Sequence, residues 1–264
     1  MSDKMRNVDF LITTLDRYYL LEQLLNSIFK YYPNAKVTVA DQSRDIKSSF
    51  YNQWSDKDLR VFPLPYDCGL SFARNILVEN TDRDYKLLLE DDFKFTEQTD
   101  IKKLKKLMDV ADIAGGSVYK AKNYQRLPFE CYLKKYGKEL WQVSDGEKWK
   151  KYKGVNYKKT GCVMNFAMFR KNVFYDVKWD NRLKLREHQH FFYRARRKKI
   201  VYTDDVRILD NKKGAGHPNY RKMKGRDEFW KIAMEDLGIN KVRYINGQVV
   251  EWKDDKIWRY KEII

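Results

Sequence analysis

From its N-terminus the chain alternates short apolar runs with amphipathic stretches. Val8–Thr13 (VDFLIT) is apolar and β-branched, the pattern of a buried strand. Tyr19–Tyr31 sets Leu21, Leu24, Leu25 and Ile28 at helical spacing, and Pro33-Asn34 stops it. Lys36–Ala40, ending at Asp41, and Leu59–Leu64 read as two more strands. Gly69 opens a helix over Leu70–Glu79, with Ser71 near its start. Tyr85–Leu89 is a strand that runs into Glu90-Asp91-Asp92. Ile101–Met108 is a basic amphipathic helix, and Ala111–Ala114 a strand followed by Gly115-Gly116. This βαβ succession predicts an α/β fold with a mostly parallel sheet flanked by helices. Ligands of such sheets bind beyond the carboxyl ends of the strands. Thr13–Arg17, Asp41–Ser43 and Glu90–Asp92 are therefore the first places to look for chemistry.

The second half is less regular. Residues 120–159 are rich in Lys and Tyr with weak periodicity, as in an insertion or flexible loop. Residues 160–174 return to strand-then-helix character, and Leu185–Lys199 reads as an Arg-rich helix. Val201–Leu209 is a strand, and residues 211–225 form a loop bearing Gly, Lys and His. Phe229–Leu237 is a helix ended by Gly238. Asn246-Gly247 then marks a hairpin between Val242–Ile245 and Val249–Trp252. The expected layout is one domain over residues 1–225 with a C-terminal helix and hairpin over 226–264. The domain comprises a first half (1–119), a basic insertion (120–159) and a further stretch (160–225).

Composition narrows this picture. A chain of 264 residues suits one large α/β domain or two small ones. With 43% hydrophobic and 15% aromatic residues it can bury a core, which excludes global disorder. Cys68, Cys131 and Cys162 lack any CxxC spacing, which excludes a disulfide framework and a four-cysteine zinc site and favours a reducing compartment. No run approaches the ~20 apolar residues of a bilayer span, and the first residues lack a signal-peptide pattern. The expectation is a cytoplasmic protein, soluble or peripheral at the inner face of a membrane.

Charge is distributed unevenly. The net charge is +17, yet residues 1–119 hold 17 basic and 19 acidic side chains. Residues 120–159 hold 12 and 4, and residues 184–226 hold 14 and 4. Two segments thus carry the excess, which suits an anionic substrate, a polyanion or an anionic membrane face; a merely solubilising surface is the plainer account.

Four constellations could carry chemistry. Glu90-Asp91-Asp92 at a strand end concentrates carboxylates that repel one another, a cost that a hard cation such as Mg²⁺ or Mn²⁺ removes. On an extended chain Glu90 and Asp92 would face the same side. A solvated acidic turn is the bland reading. Asp67–Asn75 combines a glycine turn, Ser71 and Arg74 at a helix start, either an anion site or an ordinary helix N-terminus. Glu187-His188-Gln189-His190 opens the Arg-rich helix. The two histidines do not share a helix face and HExxH is absent, so a carboxylate base is more natural there than a metal site. His217, in Gly214-Ala215-Gly216-His217-Pro218, is a loop histidine able to close over a ligand or metal, or simply a surface residue.

Taken together these stretches resemble GT-A fold glycosyltransferases (nucleotide-diphospho-sugar transferases with a Rossmann-like sheet), in their family-2-like and β1,4-N-acetylgalactosaminyltransferase-like group. FLITTLDRYYLLEQLLNSIFKYYPNAKVTVADQS, LPYDCGLSFARNILVENT, YKLLLEDDFKFTEQTDIKKL and LKLREHQHFFYRARR carry the likeness, over residues 8–118 and 160–217. Three departures stand out: the usual Asp-x-Asp begins with Glu90, the Asp-Asp that often ends the second strand is Asp41-Gln42, and residues 120–159 match nothing in the family. The resemblance implies an inverting, metal-dependent transferase of polysaccharide biosynthesis. It would move a sugar from a nucleotide-diphosphate donor, a UDP-sugar by family likeness, to a glycan or anionic acceptor. It implies that Thr13 and Arg17 line the nucleotide cleft, that Asp41 reads the nucleobase, and that Arg74 flanks base or diphosphate. Asp92 would be the main ligand of Mn²⁺ or Mg²⁺ with Glu90 or Asp91 in support, and His217 would complete the metal shell. Glu187 would be the base, kept ionised by neighbouring cations, Arg186 first; His188 is its rival. Two alternatives remain: a basic nucleic-acid-binding protein, which leaves the acidic triplet unexplained, and a sugar-phosphate nucleotidyltransferase. The latter would carry a Gly-rich loop where this chain has Thr14-Leu15-Asp16-Arg17.

Overall fold

The computed structural model describes residues 7–144, 146–211 and 227–262. The first strands form as the apolar runs predict. β1 (Val8–Thr14), β2 (Lys36–Asp41), β3 (Leu59–Pro63) and β4 (Tyr85–Glu90) pair in parallel, in the order β3-β2-β1-β4. α1 (Tyr18–Tyr31) and α3 (Leu70–Glu79) are the helices that connect them, with the short α2 (Ser48–Tyr51) before β3. Beyond β4 come the short β5 (Phe93–Lys94), α4 (Ile101–Leu107) and β6 (Ile113–Lys120).

The sheet continues with mixed sense. β11 (Ala167–Arg170) inserts antiparallel between β4 and β6, and the long β12 (Ile200–Asp210) then runs parallel to β6. Parallel character therefore holds on the β1–β4 side and at β6–β12, with β11 reversed between them. Gly115 and Gly116, which the sequence pattern places after the strand, lie inside β6. A Cβ at Gly115 would meet Val163 and one at Gly116 would meet Phe166, so their smallness serves close packing.

Alternation along β1 and β4 sorts the core onto two faces. Phe10, Ile12, Leu87 and Leu89 join Leu21, Leu24 and Ile28 of α1 on one face. Leu11 and Leu88 join Leu77, Phe169, Trp179 and Phe191 on the other. Each such fully buried side chain contributes about 1.5–3 kcal/mol.

One ion pair lies wholly inside the sheet. Asp9 and Lys86 are register partners across β1 and β4, both fully buried, with Nζ donating to Oδ2 at 2.6 Å. Asp9 also accepts from the Arg83 backbone N–H at 3.1 Å. Burial pushes the Lys86 ammonium below its usual range, against the pull of Asp9.

Residues 120–159 correct the expectation of an irregular insertion. They hold β7 (Tyr132–Tyr136), β8 (Glu139–Val143), β9 (Lys150–Tyr152) and β10 (Val155–Thr160). β9 and β10 extend the main sheet beyond β12, whereas β7 and β8 start a second sheet. That sheet is completed from the other end of the chain by β13 (Lys241–Arg243), β14 (Gln248–Lys253) and β15 (Lys256–Lys261), in the order β15-β14-β13-β8-β7. The strands escaped the sequence because each buries at most two side chains, such as Leu133 and Leu140, too few to set a period. The hairpin at Asn246-Gly247 forms as expected, with Gly247 at φ +79°.

α5 (Val173–Asp176) is short, and α6 (Glu187–Arg194) is shorter than Leu185–Lys199, beginning after Arg186 in the left-handed region at φ +68°. α7 (Glu228–Leu237) ends at Gly238 as predicted. Cys131 and Cys162 face one another across an isolated antiparallel bridge, both buried as free thiols. No helix among the described residues is long and apolar enough to cross a membrane.

Candidate active site

The parallel strands end on one edge of the sheet, and the candidate residues gather there. Thr13 and Thr14 close β1, Asp41 closes β2 and Glu90 closes β4. Thr13 is buried in the wall of a cavity of about 40 Å³ shared with Gln42, Gly69, Asp91 and Lys184. Gln42 Oε1 accepts from the Gly69 N–H at 2.8 Å and so fixes the turn into α3. Gly69 sits at φ +98°, and a Cβ there would lie 2.7 Å from Lys184 Cα, so glycine is required twice over.

The acidic triplet is not the extended run that alternation suggests. β4 ends at Glu90, and Asp91-Asp92 form a turn into β5. The turn lets one cation serve two carboxylates: the Arg17 guanidinium lies 3.1 Å from Asp91 Oδ1 and 2.5 Å from Asp92 Oδ2. Thr14 Oγ1 donates to Asp91 Oδ2 at 2.8 Å, so both oxygens of Asp91 are engaged by protein. Burial pushes the Asp91 carboxyl up to about 7; Arg17 and Thr14 pull it back, and Asp92 and Glu90 push further. Asp92 differs, because its Oδ1 is buried with no hydrogen-bond partner. A buried, unmatched carboxylate oxygen at the end of a parallel strand suits a hard divalent cation, and Asp92 passes that test. Glu90 Oε1 accepts from Asn165 Nδ2 at 2.6 Å.

Asp41 is fully enclosed. Its Oδ2 accepts from the Tyr18 and Tyr51 hydroxyls at 2.9 and 2.8 Å, and its Oδ1 from the Ser43 N–H at 2.9 Å. Burial, with Asp41 adding to it, pushes the Tyr51 hydroxyl far above its usual range. In this arrangement Asp41 braces the 43–51 segment, and both of its oxygens are engaged by protein.

Arg74 and Glu187, 113 positions apart in sequence, are joined by a buried pair at 2.5 Å. The guanidinium of Arg74 also stands 5.7 Å from the centre of the Trp179 ring. Arg74 thus lies against the candidate base. Arg186, expected to be the cation beside Glu187, instead stands over the Trp230 ring at 5.2 Å. The left-handed turn at Arg186 separates the two side chains.

His188 Nδ1 shares a hydrogen bond with Asn165 Oδ1 at 2.9 Å, and its ring meets Phe129 edge-on. Burial pushes His188 down to about 4, against the pull of Glu187 and with help from Arg74, so the ring is neutral at physiological pH. Asn165 therefore links Glu90 at the end of β4 to the first turn of α6. Sequence reading passed over Asn165, although an amide in the run Val163–Phe169 is its signal.

His217 lies outside the described residues. A separate group, Asp180, His190 and Asp236, brings three ligand atoms within 4.8 Å of one another. Arg182 already bridges its two carboxylates at 2.5 and 3.0 Å, so its negative charge is matched by protein.

Comparison with known proteins agrees with this geometry. The family described as Glycosyl transferase family 2 matches residues 9–178, which takes in β1 through β11. Beta-1,4 N-acetylgalactosaminyltransferase 2 of Mus musculus is 30% identical over 199 residues, covering 72% of this chain and 36% of that protein. Beta-1,4 N-acetylgalactosaminyltransferase 1 of Homo sapiens is 28% identical over 210 residues, covering 70% and 36%. The chain thus spans little more than a third of the length of these relatives. Among solved structures, S. aureus TarS 1-349 in complex with UDP-GlcNAc superposes with a TM-score of 0.63 at 15% identity, covering 86% of this chain and 64% of that one; this is a likeness of fold. With a matching family over most of its length and the GT-A arrangement of strands and carboxylates, the chain belongs to glycosyl transferase family 2.

Proposed function

We propose that the protein transfers a sugar from a nucleoside-diphosphate donor, most simply a UDP-sugar, to a hydroxyl of a glycan or other anionic acceptor, with inversion at the anomeric carbon. The observation that carries the reading is Asp92 Oδ1, a buried carboxylate oxygen without a partner among the described residues, in the turn that follows β4. The relatives are N-acetylgalactosaminyltransferases, and a fold neighbour was solved with UDP-GlcNAc. Both support a nucleotide-sugar donor. The nucleotidyltransferase and nucleic-acid readings lack comparable support, since β1 leads into no glycine-rich loop and family 2 matches the chain.

Asp92 would hold Mn²⁺ or Mg²⁺, with Glu90 in support. The chemistry supplied by a cation there is neutralisation of charge on the departing diphosphate. Thr13 would line the nucleotide cleft, and Asp41, fully buried, would act on the nucleobase side only by bracing Tyr18 and Tyr51. Arg17 orients the acidic turn through Asp91 and Asp92. Glu187 takes the proton from the acceptor hydroxyl as its oxygen bonds to the anomeric carbon and the bond to the diphosphate oxygen breaks. Arg74 acts through Glu187, fixing where that carboxylate points. His188 is a weak base at neutral pH because burial favours its neutral ring so strongly.

The test is thermal stabilisation by UDP, GDP and CMP, each with and without Mn²⁺. Stabilisation by UDP that requires Mn²⁺ and vanishes in Asp92→Asn is the expected result. Stabilisation only by oligonucleotides at low salt would overturn the reading.

A further inference from the structure

Beside the start of α6 lies an open groove of about 570 Å³ that the donor site does not use. Its walls come from three places: Arg186 and Gln189 at the start of α6, Trp230 of α7, and Tyr244, Arg259 and Lys261 of the second sheet. All of these follow residue 178, beyond the stretch that family 2 matches.

The lining has a distinct chemistry. Among the described residues it contains no carboxylate, whereas three of its side chains are cations. The Arg259 guanidinium pairs with Asp227, which is not in the lining, and Lys261 is exposed with no ion pair among the described residues. Arg186 lies over the Trp230 ring, so an aromatic face and a guanidinium already stack there. Trp230 is 4% exposed and its Nε1 is buried with no hydrogen-bond acceptor, an unmatched donor in the groove wall. Burial pushes the Tyr244 hydroxyl up to about 12, against the pull of Arg186 and Arg259. Aromatic faces with amide and hydroxyl groups suit a sugar ring, and forked guanidinium groups suit a carboxylate or phosphate.

Position gives the groove its meaning. Arg186 is the residue immediately before Glu187, so groove and candidate base share one helix start. A ligand part held there binds next to the reacting centre without reacting, which is how remote binding energy is turned to rate and specificity.

We propose that this groove is an acceptor subsite for a sugar residue bearing a carboxylate or a phosphate. The proposal rests on the glycosyl-transfer reading above and names the acceptor class that reading leaves open.

The experiment is saturation-transfer NMR on the full chain with three probes: methyl β-glucuronide, galactose 6-phosphate and methyl β-galactoside. They are compared on wild type and on the double variant Arg259→Gln/Lys261→Gln, whose positions are exposed. At least one charged probe should give severalfold stronger saturation than the neutral one, falling to the neutral level in the double variant. Preference between the two charged probes tells carboxylate from phosphate. Metal-dependent release of UDP from a UDP-sugar without acceptor should stay at the wild-type rate in the variant. Equal saturation by all three probes, or charged-probe binding that survives the double substitution, overturns the proposal. So does sedimentation with phosphatidylglycerol vesicles that depends on the two cations while the sugars show no discrimination, because the face would then be a membrane contact. Failure of the glycosyl-transfer reading looks different: the wild type would then release no UDP and show no Mn²⁺-dependent UDP binding.

Discussion

The two sides of the α6 N-terminus handle charge in opposite ways. On the donor side, charges are buried in tight ion pairs, Arg17 with Asp91 and Asp92 and Arg74 with Glu187, and one oxygen of Asp92 is left over for a cation. On the other side, the groove of Arg186, Arg259 and Lys261 presents cations with no carboxylate among them. Matched buried charges hold a geometry already set before the ligand arrives, the condition for electrostatic stabilisation of a transition state. Open cations instead capture a partner from solution and respond to salt. The overall +17 thus describes neither side; it averages a buried, acid-rich site and a basic face.

The sharpest way to break the contrast is Asp92→Asn, which removes charge from the matched side. Transfer should fall below detection and UDP should no longer stabilise the protein in a Mn²⁺-dependent way, while the far-UV spectrum is kept. Undiminished activity at limiting Mn²⁺ would remove Asp92 from the metal site. Glu187→Gln should lower kcat by about 10²–10⁴-fold with donor affinity close to wild type. If His188→Ala shows that pattern and Glu187→Gln does not, the base is His188. NMR of the first-formed product should show the donor's anomeric configuration inverted.

Arg74→Met asks what the pairing is worth. It leaves the Glu187 carboxylate buried without its cation, a loss of about 3–5 kcal/mol in urea denaturation. Adding Glu187→Gln to Arg74→Met should restore much of that stability, whereas independent losses would mean that the pair is incidental. On the open side, raising salt from ~50 to ~500 mM shortens the screening length from ~14 to ~4 Å. The acceptor KM should rise severalfold and the donor KM much less; parallel changes would erase the contrast.

The smallest effect is the titration of His188. Its folded pKa of about 4 lies below the ordinary 6.5, so the unfolded chain binds this proton first. The associated stability is complete above about pH 6.5 and is lost as the pH falls towards 4. The imidazole carbon shifts of His188 should stay those of a neutral ring down to about pH 5, and His188→Gln should flatten the stability profile in that window. A midpoint near 6.5 would show that the ring is not enclosed.

The donor half was legible because its strands and helices carry strong apolar periods and end at residues with distinct chemistry. Glu90–Asp92 and Asp41 stand at the strand ends where pattern and topology together put them. What pattern could not supply was who faces whom. Arg74 and Glu187 meet only because α3 and α6 pack on one face of the sheet, a contact without a local signature. Extended alternation also misjudged Asp91, because the chain turns at that residue and Arg17 grips the turn from one side. The second sheet stayed hidden for another reason. β8 and β13 pair across a sequence gap of about a hundred residues, and each offers too short an apolar pattern to stand out alone.

The buried Asp9–Lys86 pair bears on how this sequence can change over time. A slip of β4 by one residue along β1 would move the ammonium away from its carboxylate and carry the acidic turn out of line with Thr14 and Arg17. Replacing either member alone strands the other as a charge inside the sheet. An apolar pair in both places at once is a tolerable end state, yet each single step towards it passes through an unstable intermediate. The two positions should therefore behave as one inherited unit, kept or exchanged together, and lineages that lost the pair should have recruited another means of holding the strand that carries the acidic turn in register.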